Sequence, residues 1–287
     1  MDNILSLYLE LKNRTYCHGG YHAFNISDPK PRNIHKATVR DRLLHRAVYR
    51  VLYLYFDKRF IYDSYSCRVG KGTHKAIRQL QRYFWKVSKN NTKTCWVLKC
   101  DIKKFFASID HSILLEILKK YISDEDTIQL LKTIIDSFHS TQPGKGLPLG
   151  NLTSQLLVNI YMNEFDQYMK HKLKVKYYIR YADDFVILSP NKSILLNNIR
   201  YIVCYLSNEL KLSLHPDKVF IKTFSSGIDF LGWVHFPDHR ILRTTTKKRM
   251  FKNLSKNLSK QSFDSYLGLL QHGNTHKIRK RIIKEML

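Results

Sequence analysis

The sequence is poor in cysteine, proline, glycine and acidic residues, and it has no long uncharged apolar run. Five cysteines in 287 residues, with no CxxC spacing, give neither a disulfide framework nor a zinc-finger pattern. The chain therefore reads as a reduced, cytoplasmic protein. Cys17, His18 and His22 amount to half a metal site that nothing else completes. With 7 prolines and 11 glycines against 44% hydrophobic residues, collagen-like, linker-dominated and disordered classes are excluded and a globular chain is expected. No apolar stretch is long enough to cross a bilayer. The opening MDNILSLYLELKN is broken by Asp2, Glu10 and Lys12, and reads as a short helix, not as a signal peptide. No fixed-period repeat occurs.

The deficit with most consequence is in acids. There are 23 Asp and Glu against 49 Lys and Arg, a formal net charge of +26. An excess of that size implies a polyanionic partner, nucleic acid first. An anionic membrane is the weaker reading, since no basic amphipathic helix dominates.

What is present reads as α+β. A basic, Pro-punctuated turn from Ser27 leads into a helix with Leu43, Leu44, Ala47, Val48, Val51 and Leu52 on one stripe. A Gly-containing basic loop then precedes a helix carrying Ala76, Ile77, Leu80, Tyr83 and Phe84. CWVLKCDI is a short apolar strand ending at Asp101, and Asp110 is the expected N-cap of the following helix. QPGKGLPLGN is a loop entering a long helix, KYYIRYADDFVIL a hairpin, and GIDFLGWVHF a further strand. From Arg240 the chain is basic with a helical pattern.

One constellation carries chemistry. Asp183 and Asp184 fall at the tip of the expected hairpin, where tight turns favour Asp in any case. Asp101 also ends an apolar strand, and two strands side by side would bring the three carboxylates together. Such a cluster raises its own pKa values and destabilises the fold unless cations bind. Oxygen ligands suit Mg²⁺, and a pair of ions is the standard device for in-line phosphoryl transfer. On a chain of +26 this points to nucleotidyl transfer on nucleic acid.

At these residues the sequence resembles the reverse transcriptases. YADD (Tyr181–Asp184) resembles their motif C, CDIKKFFASIDH motif A, LHPDK motif D and FLGW the primer-grip hairpin. RDRLLHRAV and SYSCRVGKGTHKA resemble the fingers blocks of group II intron-like bacterial enzymes, and the blocks run in family order from Lys30 to Phe236. LPLGNLTSQ, with Leu149 where most members carry Gln and with Gln155 closing the motif, is similar to the enzymes of diversity-generating retroelements.

The resemblance implies a right-hand polymerase with fingers over 1–97, palm over 98–236 and a short basic thumb over 237–287. It implies two Mg²⁺ ions, with Mn²⁺ a possible substitute, held by Asp101, Asp183, Asp184 and the Ile102 carbonyl. Lys218 would serve as proton donor to the leaving group. Lys30 and Arg32 would grip the triphosphate, Phe106 would gate the sugar, and Leu149, Gly150 and Gln155 would contact the nucleotide. Of the neighbouring Phe105 and Phe106, alternating if extended, one would pack in the core. Arg68, Lys71 and Lys75 would follow template phosphates; Arg180 and Tyr181 would support the hairpin and contact the primer strand, and Leu231 with Gly232 would contact the primer. Implied partners are a template RNA, a DNA or RNA primer, dNTPs and a small basic accessory protein, with no membrane. No maturase, endonuclease or RNase H block is recognisable after Phe236, and neither the NAxxH nor the VTG segment of retron enzymes occurs. The product expected is error-prone cDNA from a template-repeat RNA. Another bacterial reverse transcriptase class, or a non-catalytic RNA-binding scaffold, stays open beside it.

Overall fold

The computed structural model describes residues 2–27, 31–256 and 259–286. The chain begins with α1 (Asp2–Lys12), a hairpin of β1 (Tyr21–Ile26) and β2 (Arg32–Ala37), and the helices α2 (Val39–Phe56) and α3 (Thr73–Val87). Then come β3 (Trp96–Asp101), the one-turn α4 (Phe105–Ser108), α5 (His111–Lys119), α6 (Glu125–Asp136) and α7 (Leu152–Gln167). β4 (Tyr178–Tyr181) and β5 (Asp184–Ser189) form a second hairpin, followed by α8 (Lys192–Asn208) and β6 (Phe220–Thr223). A three-stranded meander, β7 (Ile228–Phe230), β8 (Trp233–His235) and β9 (Arg240–Leu242), leads into α9 (Thr244–Lys256), α10 (Lys260–Leu270) and α11 (His276–Met286).

The four-stranded antiparallel sheet, in order β4-β5-β3-β6, is the centre of the molecule. Side chains alternate across it. Leu98, Cys100, Tyr178, Phe185 and Ile187 face a large core shared with α5, α7 and α8. Val97, Ile179, Val186 and Leu188 face a second core built on α3 through Ala76, Leu80, Tyr83 and Phe84. α7 is buried nearly all round, so its sequence shows little amphipathic stripe, as a helix at the centre of a layered core requires. A third cluster ties Ile77 of α3 to Trp233, Leu242, Met250, Leu254, Leu270 and Ile282, so the C-terminal helices rest on the meander and on α3.

Local chemistry explains the boundaries. Thr38 caps α2 by accepting from the Asp41 amide, and Asp110 caps α5 by accepting from the amides of Ser112 and Ile113.

Four expectations need correction. In α2 the buried residues are Asp41, Leu44, His45, Leu52 and Phe56, while Leu43 and Val51 are exposed. A buried polar pair occupies part of the inward face, which a purely apolar stripe misplaces. The β1–β2 hairpin lies where only a basic turn was read; its polar, exposed strands carry little apolar alternation. GIDFLGWVHF is two strands and not one: FLGW is the turn of a hairpin, as the family resemblance implies, with Leu231 at φ +51° and Gly232 at φ +87°. Phe105 and Phe106 lie on a helical turn entered through left-handed Lys104, so they part by helical rotation, Phe105 buried and Phe106 half-buried.

Candidate active site

Asp101, the last residue of β3, pairs directly with Asp184, the first residue of β5. Asp183 occupies the two-residue turn between β4 and β5, and its carbonyl accepts from the Ile102 amide at 3.1 Å, joining the turn to the end of β3. The alternation that sends Cys100 and Phe185 into the large core sends Asp101 and Asp184 to the opposite face, together with Lys99. Two sequence-distant carboxylates and the turn carboxylate thus share one corner of the sheet.

The corner is electrostatically loaded. Burial, then the charges of Asp184 and Asp101, push the Asp183 carboxyl up to about 6. Burial also raises Asp184, a shift that the nearby Lys99 opposes. Lys218 Nζ donates to Asp101 Oδ1 at 2.8 Å, and Lys99 Nζ stands 3.3 Å from Asp184 Oδ1. The second contact is an ion pair without hydrogen-bond geometry, and it leaves Asp184 Oδ1 buried with no hydrogen bond. Among the described residues no three His, Cys, Asp or Glu side chains close around one point. The carboxylates are a donor set, not a finished coordination sphere. Its all-oxygen chemistry, the unsatisfied Asp184 Oδ1 and the raised Asp183 fit a hard divalent cation such as Mg²⁺.

A cleft of about 1220 Å³ opens beside Asp184, and its lining includes Arg32, Leu231, Gly232, Arg243, Arg249 and Lys252. The residues of LPLGNLTSQ meet the β1–β2 hairpin: the His35 amide donates to Leu149 O at 2.9 Å, and Asn151 Nδ2 donates to His35 O at 3.3 Å. Gly150 has φ +109°, and a Cβ there would lie 2.7 Å from Ile34 Cγ2, so only glycine allows this approach. Gln155 lies half-buried on the first turn of α7. Tyr181 accepts a hydrogen bond from Thr73 Oγ1. Lys30 lies outside the described residues.

Other expected contacts are placed differently. Arg68 has a buried guanidinium that donates to Asp57 and to the carbonyls of Ile61 and Ser64, so it holds its own loop instead of facing a strand. Lys71 folds over the Tyr62 ring at 3.4 Å and donates to the Tyr62 carbonyl, whereas Lys75 is exposed. Arg180 is fully buried against Asp166 and cannot reach a primer.

Reading the sequence missed Lys99 and the partners of Arg180. Lys99 stands two residues before Asp101, the spacing that puts both on one strand face, and that signal was available. Asp166 and Asn159 are buried polar residues of a helix that is buried nearly all round, where polar side chains need partners.

Residues 26–235 match the family model described as reverse transcriptase (RNA-dependent DNA polymerase). The chain belongs to the reverse transcriptase family. Among curated relatives of this family member, Protein YkfC of Escherichia coli is 29% identical over 259 residues, covering 77% of this chain and 66% of that protein. The group II intron-encoded protein LtrA of Lactococcus lactis is 24% identical over 330 residues, covering 90% of this chain and 53% of LtrA. The chain thus spans less than two thirds of the length of these relatives. A solved telomerase from Candida albicans, in complex with a fragment of telomeric RNA, superposes with TM-score 0.60 at 13% identity, covering 93% of this chain and 55% of that one. That likeness shows the right-hand polymerase fold.

Proposed function

We propose that this chain is an RNA-directed DNA polymerase with fingers over 1–97, palm over 98–236 and thumb over 237–287. The observation that carries the reading is the direct pairing of Asp101 with Asp184 beside the Asp183 turn. These three carboxylates and the Ile102 carbonyl would hold two Mg²⁺ ions, or Mn²⁺ in their place. When bound, such ions supply activation of the attacking hydroxyl and stabilisation of the leaving oxygen. The protein's own groups do the rest. Lys218, which donates to Asp101, would give a proton to the departing pyrophosphate. Arg32 would grip the triphosphate bidentately, with Lys30 adding a point charge. Phe106 screens the sugar, Gly150 and Gln155 shape the nucleotide's floor, and Leu231 with Gly232 contacts the primer end at the cleft. Lys75, which is exposed, and Tyr181 would contact the template and primer, while Lys71, folded over the Tyr62 ring, would add only its charge there. The cations of the cleft and the net charge of +26 hold the polynucleotide in a salt-dependent way.

The finer reading is a mutagenic retroelement enzyme, served by a small basic accessory protein and a structured RNA. It is supported by LPLGNLTSQ: Leu149 offers the nucleotide shape but no directional polar contact, and discrimination that relies on shape alone is weaker. The likeness to LtrA favours a second reading, a group II intron-like enzyme of ordinary accuracy. Primer extension on a defined RNA template with Mg²⁺ and dNTPs, followed by product sequencing, separates them. Errors concentrated at template adenines support the retroelement role, and uniformly accurate cDNA the intron-like one. Absence of DNA synthesis, with accessory protein and RNA supplied, would leave a binding scaffold.

A further inference from the structure

Ala182, the residue before Asp183, has φ +55°, a left-handed conformation that is costly for a residue with a Cβ. Something must over-determine the turn, and the fold supplies one side chain for it. Arg180 is fully buried, and its Nη1 donates to the Ala182 carbonyl at 3.2 Å and to Asn159 Oδ1 at 3.3 Å. Its Nη2 donates to Asp166 Oδ2 at 2.7 Å and to Ser64 Oγ at 3.0 Å, and its Nε to Asp166 Oδ1 at 2.8 Å. Tyr178 Oη also donates to that Oδ1, at 2.7 Å, so the carboxylate is itself fixed.

The backbone of the same residue is tied on the other side. The Arg180 amide donates to Asp63 O, and the Tyr65 amide donates to Arg180 O, both at 3.0 Å. Arg180 therefore meets three parts of the protein: the 63–65 segment before α3, the buried helix α7, and the turn that carries Asp183.

We infer that Arg180 is a positioning residue for the catalytic turn, fixing Asp183 and Asp184 through the Ala182 carbonyl while Asp166, Asn159 and Ser64 fix its guanidinium. The inference rests on the polymerase reading above. A planar fork with several donors is needed, because one group must serve a carboxylate, an amide, a hydroxyl and a backbone carbonyl at once. Lysine can keep the charge opposite Asp166 but cannot span that set. Arg180 touches no substrate, so its removal should disturb where the carboxylates stand and not how nucleic acid binds.

The test compares Arg180→Lys and the double variant Arg180→Met with Asp166→Leu against the parent. The double variant replaces the buried pair with apolar groups of similar size and leaves no orphan charge. Three quantities are read on folded protein: kcat and dNTP KM in primer extension, template–primer Kd, and Mn²⁺ affinity by electron paramagnetic resonance without substrate. The expected result is a fall of about 10- to 100-fold in kcat and about 10-fold in Mn²⁺ affinity, the size seen when supports behind metal ligands are lost. Template–primer Kd and dNTP KM should stay within about twofold. Parental kcat and Mn²⁺ affinity in either folded variant would overturn the inference, as would a loss that merely follows the unfolded fraction. If the parent makes no DNA, the polymerase reading fails, and the Mn²⁺ comparison still decides whether Arg180 positions the carboxylates.

Discussion

Asp101 and Asp184 are direct partners across the central sheet, and each carries a lysine at its carboxylate, Lys218 on the first and Lys99 on the second. Two carboxylates in register, with a third in the adjoining turn, would be selected against in a protein that only had to fold. Replacing Asp183 with Asn keeps the shape and removes one charge from the cluster. Asp183→Asn should lower primer extension by at least about 1000-fold while leaving template–primer binding intact, since the ions are asked for several kcal/mol of barrier. Its Tm without added metal should equal or exceed the parent's, because repulsion and desolvation are relieved together. A mutant that keeps synthesis would remove Asp183 from the chemistry.

Lys99 is 7% exposed and stands 3.3 Å from Asp184 Oδ1. Taking away one partner of a buried pair leaves the other charge uncompensated. Lys99→Met should cost about 2 kcal/mol, which for a chain of this size is a Tm fall of about 5 °C in chelator. Saturating Mg²⁺ should narrow the gap, since a divalent ion serves the same carboxylates. Differential scanning fluorimetry with and without Mg²⁺ reads both. An equal Tm deficit in the two conditions would mean that Lys99 serves packing alone.

The raised Asp183 makes metal protection depend on pH. Its carboxyl moves from 3.8 up to about 6 in the folded state, so between those values the native protein binds more protons than the unfolded chain. Without metal, this group stabilises as pH falls from 6 toward 3.8 and costs stability above 6. Mg²⁺ competes with the proton for the same oxygens. The Tm increment from Mg²⁺ should therefore be large at pH 7.5 and small at pH 5, and Asp183→Asn should flatten the difference.

The legible parts of this sequence were those where chemistry and periodicity agree. β3 is an apolar strand that ends in an acid and β5 one that begins with an acid, and their alternation puts Asp101 and Asp184 on one face. α3 has a regular stripe, and Asp110 caps as its type suggests. The family motifs then supplied the order of the blocks. What stayed illegible depends on tertiary pairing. The polar strands β1 and β2 are held by each other and by the Leu149–Asn151 loop, not by a buried face. Arg68 and Arg180 look like phosphate ligands in a chain so basic, yet both guanidinium groups are used internally. Only the positions of Asp57 and Asp166 reveal that.

Gly150 couples the β1–β2 hairpin to the entrance of α7. At φ +109°, with Ile34 Cγ2 2.7 Å from any added Cβ, Gly150→Ala meets both backbone strain and a clash. The expected cost is about 2–3 kcal/mol, unless the hairpin gives way. In that event the His35–Leu149 hydrogen bond is lost and the penalty appears as a raised dNTP KM with little change in Tm. Hydrogen exchange at the His35 amide distinguishes the two routes. Normal stability together with normal KM would show that the hairpin and this loop act independently.

Two buried histidines set the acid limit of the fold with the sign opposite to Asp183. Burial, joined by the neighbouring His18 ring, depresses His45 to about 4, and burial depresses His235 to about 4. Both start from 6.5, so below that value the unfolded chain takes up protons that the native protein refuses. Stability is full above pH 6.5 and falls as pH drops toward 4, by up to about 3 kcal/mol for each histidine. His235 Nε2 lies 3.1 Å from the Phe230 carbonyl, and His235→Gln retains a donor for it without a titrating group. Urea unfolding at pH 7, 6 and 5 in the Asp183→Asn background isolates the histidine contribution. There His235→Gln should remove part of the fall between pH 6 and 5, and an unchanged slope would mean that this histidine is not the group being protonated on unfolding.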